Sequence, residues 1–178
     1  WLDAGKTSPY AFYQFWLTTA DADVYKFLKY FTFLTVEAID ALEQEDAERE
    51  GRPEAQRVLA REVTRLVHGD GGLEAAERIT SAMFSGDESS LSESDLAQLS
   101  LDGLPSSVIT REAMPETLTQ LMTDAGMAAS GKQVKDALGR SAVSINGVSV
   151  SAENNADPVS CFAPEVAMHG RYFITRLG

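Results

Sequence analysis

The spacing of apolar residues changes along this chain of 178 residues. Up to residue 85 they recur every three to four positions, which is typical of amphipathic helices. Between residues 142 and 150 they alternate with polar residues on both sides of Asn146-Gly147, a strong signal for two strands joined by a tight turn. We therefore predict an α+β fold, in which an all-α helical domain is followed by a small αβ module.

Residues 1–85 are predicted to form five helices joined by short turns. Ser8 and Pro9 mark the start of the first helix, because serine caps helices well and proline suits their first position. Glycines indicate two of the breaks, at Gly51 and at the turn over 69–72. The four later helices are predicted to begin at Asp21 or Asp23, at Thr35, at Pro53 and at Leu73.

The following segment, residues 86–111, is rich in serine and acidic residues, which is typical of a linker. One short helix is predicted within it, over Asp95–Leu101. Regular apolar spacing resumes in residues 112–178, the predicted αβ module. Its expected elements are a helix around Leu118 that ends at Gly126, a helix capped by Ser130, the two strands beside Asn146-Gly147, and a last strand over 171–177.

Acidic residues are concentrated in the first part of the chain. The formal net charge is −12, from 15 Lys and Arg against 27 Asp and Glu. Residues 1–110 hold 9 of the basic and 20 of the acidic residues, so residues 111–178 are close to neutral. The net charge argues against a protein that binds nucleic acid over its whole surface. Its uneven distribution indicates two modules with different tasks.

Simple counts argue against several other classes of protein. No run of 18 apolar residues is present, so a transmembrane helix is not expected. The single cysteine, Cys161, excludes an internal disulfide framework and fits a reducing compartment. His68 and His169 have no partners at metal-ligand spacing, so we expect no metal site. The first residue is Trp1 rather than methionine, and we expect the sequence to be a piece of a longer protein.

Residues 112–178 contain three short motifs whose order and spacing are informative. They are Leu121-Met122-Thr123-Asp124-Ala125-Gly126-Met127-Ala128-Ala129-Ser130, then Lys132-Gln133-Val134-Lys135, then Val143-Ser144-Ile145-Asn146-Gly147. With these motifs, residues 112–178 resemble a small RNA-binding module known from ribosomal small-subunit protein S-four. An S-four-like RNA-binding module is the expectation that follows.

The N-terminal part also carries a series of short motifs. They include Trp1-Leu2-Asp3, Lys6-Thr7-Ser8-Pro9-Tyr10, Phe12-Tyr13-Gln14-Phe15-Trp16, Thr19-Ala20-Asp21, Phe31-Thr32-Phe33, Leu66-Val67-His68-Gly69 and Phe84-Ser85-Gly86. In their order and spacing these motifs resemble those of bacterial tyrosyl-tRNA synthetases, and together the two resemblances cover essentially the whole chain. A helical domain followed by an S-four-like module is the C-terminal half of this family.

The resemblance implies a division of labour. The helical domain would meet the anticodon loop of tRNA(Tyr), and the module would hold the anticodon stem and the long variable arm. The catalytic domain, which attaches tyrosine to tRNA with ATP and Mg²⁺, is expected upstream of Trp1, so this fragment would have no catalytic residues and no cofactor of its own. The family's last basic strand is expected after Gly178.

The resemblance also implies where the protein works and how it assembles. We expect a cytoplasmic protein without a membrane partner. The full-length enzyme is expected to be a homodimer that associates through its catalytic domain, and the fragment is expected to be a monomer.

The residues expected to contact RNA in the module are basic or polar, because RNA binding needs cations that reach phosphates. Lys132 and Lys135 lie three residues apart and would share a helix face. Ser130 begins a helix whose first N–H groups suit a phosphate. The predicted set is Ser130, Lys132, Gln133, Lys135, Arg140, Arg171 and Arg176. Composition alone leaves open that these residues form an ordinary solvated surface.

Two acidic residues are candidates for contact with the anticodon. A carboxylate can accept hydrogen bonds from N1–H and N2–H₂ of guanine, so Asp21 and Asp23 could read the first anticodon base. The alternative is that they cap a helix. The crowded aromatic residues Phe12, Phe15 and Trp16 are assigned to the core.

A second class of function stays open, an acidic helical module that binds a basic protein partner. A free-standing enzyme is not supported, because the sequence shows no pairing of nucleophile and base. Binding of tRNA that weakens with salt would separate the RNA-binding function from the protein-binding one.

Overall fold

The computed structural model describes residues 2–153 and 157–178 and divides the chain into two compact units. The helical unit comprises Trp1–Ser81 and Ala97–Leu104, and the αβ unit comprises Ala82–Leu96 and Pro105–Gly178. The described residues are mostly helical with one small antiparallel sheet, which confirms the α+β class. No helix among them is long and apolar enough to cross a membrane.

The helical unit contains α1 (Pro9–Leu17), α2 (Asp21–Phe31), α3 (Val36–Glu48) and most of α4 (Ala55–Ser85). Helix α4 bends at Gly69, whose φ of 71° and ψ of −179° lie outside the helical region. Glycine adopts such angles without the steric cost that a side chain would add. The bend confirms the predicted break between the fourth and fifth helices.

Among the described residues, apolar faces of these helices meet in two clusters. Phe12 of α1 and Leu28 of α2 pack with residues of α3 and α4, which confirms the assignment of Phe12 to the core. Phe15 is 51% exposed, so its assignment to the core is wrong. The main cluster comprises Phe12, Val24, Leu28, Ile39, Ala55, Leu59 and Val63, and the second comprises Tyr13, Ala60, Leu73 and Ala76.

Asp46 of α3 is the buried acceptor at the start of α4. Its side chain is 2% exposed and accepts hydrogen bonds from the backbone N–H groups of Glu54 (2.7 Å) and Ala55 (2.9 Å) and from the Tyr25 hydroxyl (3.0 Å). Burial opposes ionisation, but these hydrogen bonds outweigh it and hold the pKa of Asp46 below its usual value. Burial and the bond to Asp46 raise the pKa of Tyr25 to about 12.

Residues 86–111, which we expected to be a linker, are partly packed into the units. A 3₁₀ turn at Glu88–Ser90 precedes α5 (Glu93–Gln98), and a π-helical turn, Leu99–Gly103, follows it. Leucines at positions 91, 96 and 99 are buried. These leucines are scattered among serines and acidic residues. The composition of the whole segment is therefore polar and does not reveal the apolar contacts that its leucines make.

Residues 97–104 of this segment belong to the helical unit, where two of their side chains bind backbone N–H groups at the start of α1. Ser8 caps α1 by accepting a hydrogen bond from the N–H of Ala11 (3.1 Å). The Asp102 carboxylate accepts from the N–H of Ser8 (2.9 Å), and the Gln98 side-chain oxygen accepts from the N–H of Tyr10 (3.1 Å). Donors that a helix start would otherwise leave without partners are thereby satisfied.

The core of the αβ unit lies between two helices, α6 (Leu118–Asp124) and α7 (Gly131–Gly139), and a three-stranded sheet. The strands are β1 (Val143–Ile145), β2 (Val148–Val150) and β3 (Thr175–Leu177), and a short helix, α8 (Pro158–Cys161), precedes β3. The strand order is β2-β1-β3, with both pairs antiparallel, and Val143 stands opposite Val150 and Leu177. Side chains of α6, α7, β1 and β2 form one core cluster.

The predicted turn between β1 and β2 is confirmed. Asn146 and Gly147 have φ values of 49° and 78°, which two-residue hairpins of this kind require. The Asn146 side chain also donates to the Val166 carbonyl (2.7 Å) and accepts from the N–H of Ile174 (2.8 Å). The last strand, Thr175–Leu177, is shorter than predicted because the preceding residues form a turn closed by the Met168–Tyr172 bridge.

Residues 82–96 are joined to the sheet by an ion pair whose carboxylate is buried and whose guanidinium is partly exposed. The side chain of Glu88 is 3% exposed and pairs with Arg176 of β3, which also donates to the Met83 carbonyl (3.0 Å). Glu93 pairs with Arg171 at 3.0 Å, but both of these side chains are more than half exposed. The Glu88–Arg176 pair is therefore the stronger electrostatic tie within this unit.

Replacement of Asp46 by alanine is expected to lower the free energy of unfolding by about 3 kcal/mol, since two helix N–H groups and a hydroxyl lose their buried acceptor. Because the folded pKa is lowered, this stabilisation is complete above the unfolded pKa of about 3.9 and is lost as the pH falls through the folded value. Urea unfolding between pH 7 and pH 3 measures both effects. Glu45→Ala, an exposed neighbour, is the control, and equal midpoints for the two variants at pH 7 would contradict the role of Asp46.

Substitution Glu88→Gln is expected to destabilise the αβ unit by about 2 kcal/mol, because Arg176 loses its buried counter-charge. The matched control is Glu93→Gln, which removes an exposed partner and should cost less than about 0.5 kcal/mol. Hydrogen exchange of the β1 and β3 amides reports the stability of this unit directly. Equal loss of protection in the two variants would refute the structural role of Glu88.

Candidate RNA-binding surface

Helix α7 presents one apolar and one basic face. Val134 and Leu138 are buried in the core of the αβ unit, whereas Lys132 and Lys135 are exposed. Within residues 2–153 and 157–178, neither ammonium group has a carboxylate in ion-pair contact. The two lysines share the exposed face that their spacing predicts, so they are placed to meet an anion from solution.

The start of α7 uses the polar side chains predicted there for its own caps. The Ser130 hydroxyl accepts from the N–H of Gln133 (3.4 Å), and the Gln133 side-chain oxygen accepts from the N–H of Ala129 (3.2 Å). Ser130 therefore caps the helix as predicted. The N–H groups of the first turn have no acceptor within the helix, as at any helix start.

Arg140 lies just beyond the other end of α7. Its guanidinium donates to the carbonyls of Asp136 and Gly178, each at 3.4 Å, and the side chain is exposed. These long contacts join the end of α7 to the end of the described chain. They leave Arg140 accessible to an anion.

The two arginines predicted near the last strand each form an ion pair with a glutamate of this chain. Arg176 pairs with buried Glu88, as described above. Arg171 pairs with Glu93, lies 4.8 Å from the ring centre of Tyr172 and donates to its hydroxyl at 2.8 Å. The sequence could not show these pairs, because both carboxylates belong to the segment expected to be a linker. Contact of either arginine with RNA stays a prediction.

Asp21 and Asp23 lie in the first turn of α2 and are exposed. The N-cap residue is Ala20, and no side chain makes a capping hydrogen bond there, so the alternative role as helix caps is wrong. Asp21 accepts a hydrogen bond of 2.5 Å from the Gln56 side chain. Both carboxylates can thus be approached from solvent, and their contact with a base stays a prediction.

An exposed aromatic patch on α1 and α2 was missed by the sequence analysis. Phe15 and Phe31 each place their ring centre 5.3 Å from that of Trp16. Tyr30 is 68% exposed, and Phe33, just beyond α2, is 89% exposed. Phe15 stands two positions from the buried Tyr13 and therefore on nearly the opposite side of a helix, and this was the signal that could have marked Phe15 as exposed.

The histidines and the thiol have local structural contacts. The ring of His68 meets Phe12 edge-on at 4.9 Å, and burial lowers the pKa of His68. The Nε2 atom of His169 lies 2.8 Å from the Leu91 carbonyl oxygen. Cys161 is half-buried, which raises the pKa of its thiol. Across the described residues, no group of three histidine, cysteine or acidic side chains is placed to hold a metal ion.

Comparison with known proteins gives a consistent result. Residues 1–85 match the family model "tRNA synthetases class I (W and Y)". The tyrosine–tRNA ligase of Aliivibrio fischeri is 56% identical over all 178 residues, which cover 40% of that protein. The tyrosine–tRNA ligases of Yersinia enterocolitica and Neisseria meningitidis are 48% and 46% identical, again over the whole of this chain and over 40% and 42% of their own lengths.

A solved structure is also similar, that of a C-terminally truncated mitochondrial tyrosyl-tRNA synthetase from Coccidioides posadasii. It is 42% identical, with a TM-score of 0.42 over 44% of this chain and 21% of that one. The chain spans about two fifths of the length of the curated relatives it matches. Over its whole length it is similar to part of a tyrosine–tRNA ligase, and its first 85 residues are similar to class I tRNA synthetases.

Proposed function

We propose that this chain is the tRNA-recognising part of a tyrosine–tRNA ligase. The observation that carries the proposal is the 56% identity to such a ligase across every residue of the chain. The parent enzyme would attach tyrosine to tRNA(Tyr) with ATP. This chain would bind the anticodon stem-loop and the variable arm.

The helical unit is assigned to the anticodon rather than to catalysis. A Rossmann-type catalytic domain is built on a parallel sheet, whereas the elements described in the helical unit are helices. The matched family model covers the same residues but names only the class of synthetase. ATP and Mg²⁺ are therefore assigned to a part of the parent protein outside this chain, together with the contacts that would make the parent a homodimer.

The αβ unit is assigned to the stem and variable arm, with α7 as its main contact. Lys132 and Lys135 are exposed and lack carboxylate partners in the described chain, whereas Arg171 and Arg176 are already paired. Binding of a phosphate by Lys132 or Lys135 thus breaks no ion pair. We accordingly rank the two lysines above the two arginines as RNA contacts.

The net charge of −12 requires that RNA binding be confined to local surfaces. Long-range repulsion between an acidic protein and RNA weakens as salt screens it, while phosphate contacts also weaken as salt is added. The second effect dominates where lysines touch phosphates. The slope of affinity against salt therefore counts these contacts.

Exchange of both α7 lysines for glutamate, Lys132→Glu/Lys135→Glu, is expected to weaken binding of the 178-residue chain to tRNA(Tyr) by about tenfold or more. The plot of log affinity against log salt concentration should become less steep, its negative slope shrinking in magnitude by about 2, because two phosphate contacts are lost. Fluorescence anisotropy at several salt concentrations measures both quantities.

The control for net charge is Lys6→Glu/Arg111→Glu, which changes the charge by the same amount at exposed positions that do not belong to α7. It should bind tRNA within about threefold of wild type. An equal loss in both double variants would mean that total charge, and not the α7 face, determines affinity. A wild-type chain that binds a basic protein but no tRNA would favour the alternative of a protein-interaction module.

A further inference from the structure

Gln56 is a buried amide next to an exposed carboxylate. It lies in the first turn of α4 and is 3% exposed. Its side-chain Nε2 donates to Oδ1 of Asp21 at 2.5 Å and to the Thr19 carbonyl at 3.4 Å. Buried polar groups in proteins are nearly always hydrogen-bonded, so an amide at this depth needs a reason for its placement.

The surroundings determine which way the amide points. Carboxylate and carbonyl oxygens accept hydrogen bonds and cannot donate them, so the NH₂ group must face Asp21 and Thr19. The Oε1 atom is then left buried without a hydrogen-bond partner in the part of the chain that the structure describes. Gln56 thus holds Asp21 through its NH₂ group, although its own carbonyl oxygen makes no hydrogen bond within the described residues.

Asp21 and Asp23 differ in whether a buried donor holds the carboxylate. Gln56 engages one oxygen of Asp21, and the second oxygen accepts no hydrogen bond from the described residues. Asp23 is exposed and has no comparable buried donor among those residues. Of the two acidic side chains at the start of α2, only Asp21 is therefore fixed in direction by another helix.

We infer that Gln56 is a positioning residue that orients Asp21 to read guanine at the first anticodon position, an inference that rests on the proposed function. Recognition of the N1–H and N2–H₂ donors of guanine requires a carboxylate plane held at one angle. A side chain fixed before binding loses less rotamer entropy when the base arrives. Gln56 supplies this restraint without touching the RNA.

The test measures base preference rather than affinity alone. The 178-residue chain is titrated with two anticodon stem-loop RNAs that differ only in guanine or adenine at the first anticodon position. The wild type is expected to prefer guanine by about tenfold or more. Asp21→Asn and Gln56→Met should each lose most of this preference, and the double variant should lose no more than either, because both act through one contact.

Controls separate positioning from folding. Asp23→Asn should keep the preference, and thermal unfolding confirms that each variant is folded. If Gln56→Met does not fold, Gln56→Asn keeps an amide that is too short to reach Asp21. In the wild-type chain, the NMR signals of the Gln56 side-chain amide should shift with the guanine RNA and not with the adenine RNA.

The outcomes distinguish this inference from the proposed function. A folded Gln56 variant that keeps the full guanine preference overturns the inference, as does an unchanged Gln56 amide signal. Equal wild-type affinity for the two RNAs also overturns it, while leaving tRNA binding intact. A wild-type chain that binds neither RNA nor tRNA(Tyr) instead refutes the proposed function.

Discussion

Within each of the two units of this acidic chain, a buried carboxylate joins neighbouring elements. Asp46 accepts the first N–H groups of α4, and Glu88 neutralises Arg176 on β3. A carboxylate at such depth costs several kcal/mol unless donors surround it, so each of these sites is tightly specified by its partners. The direction in which α4 begins depends on the first contact. The attachment of residues 82–96 to the sheet depends on the second.

The same pairing sorts the basic residues by role. Arg171 and Arg176 stabilise the αβ unit through Glu93 and Glu88, whereas Lys132 and Lys135 remain open to solvent. In a protein with a charge of −12, two cations on one face of α7, unpaired among the described residues, can meet an anion without the loss of an internal ion pair. A candidate RNA surface is thus defined by the absence of internal partners in the described chain as much as by basic residues.

Local signals were enough to predict most elements but not all of their contacts. The cap at Ser8, the break at Gly69 and the turn at Asn146-Gly147 each depend on a few consecutive residues, and all three are confirmed. The linker prediction did not anticipate the three buried leucines of residues 86–111, because polar neighbours dilute them. Phe15 was misplaced because aromatic density was read without regard to helix face.

By itself, the sequence determined the α+β class, the positions of the helices and hairpin, and the shared face of Lys132 and Lys135. These features follow from local backbone preferences and from apolar residues that recur every two positions in a strand or about every 3.6 positions in a helix. Both signals can be read from residues close together in sequence. Only the tertiary structure decided that Glu88 forms an ion pair with Arg176 and that Gln56 donates a hydrogen bond to Asp21. It also decided that Asp46 accepts hydrogen bonds from the N–H groups at the start of α4. Such pairs join residues distant in sequence, and the packing of whole elements, which no local pattern encodes, brings them within hydrogen-bond distance.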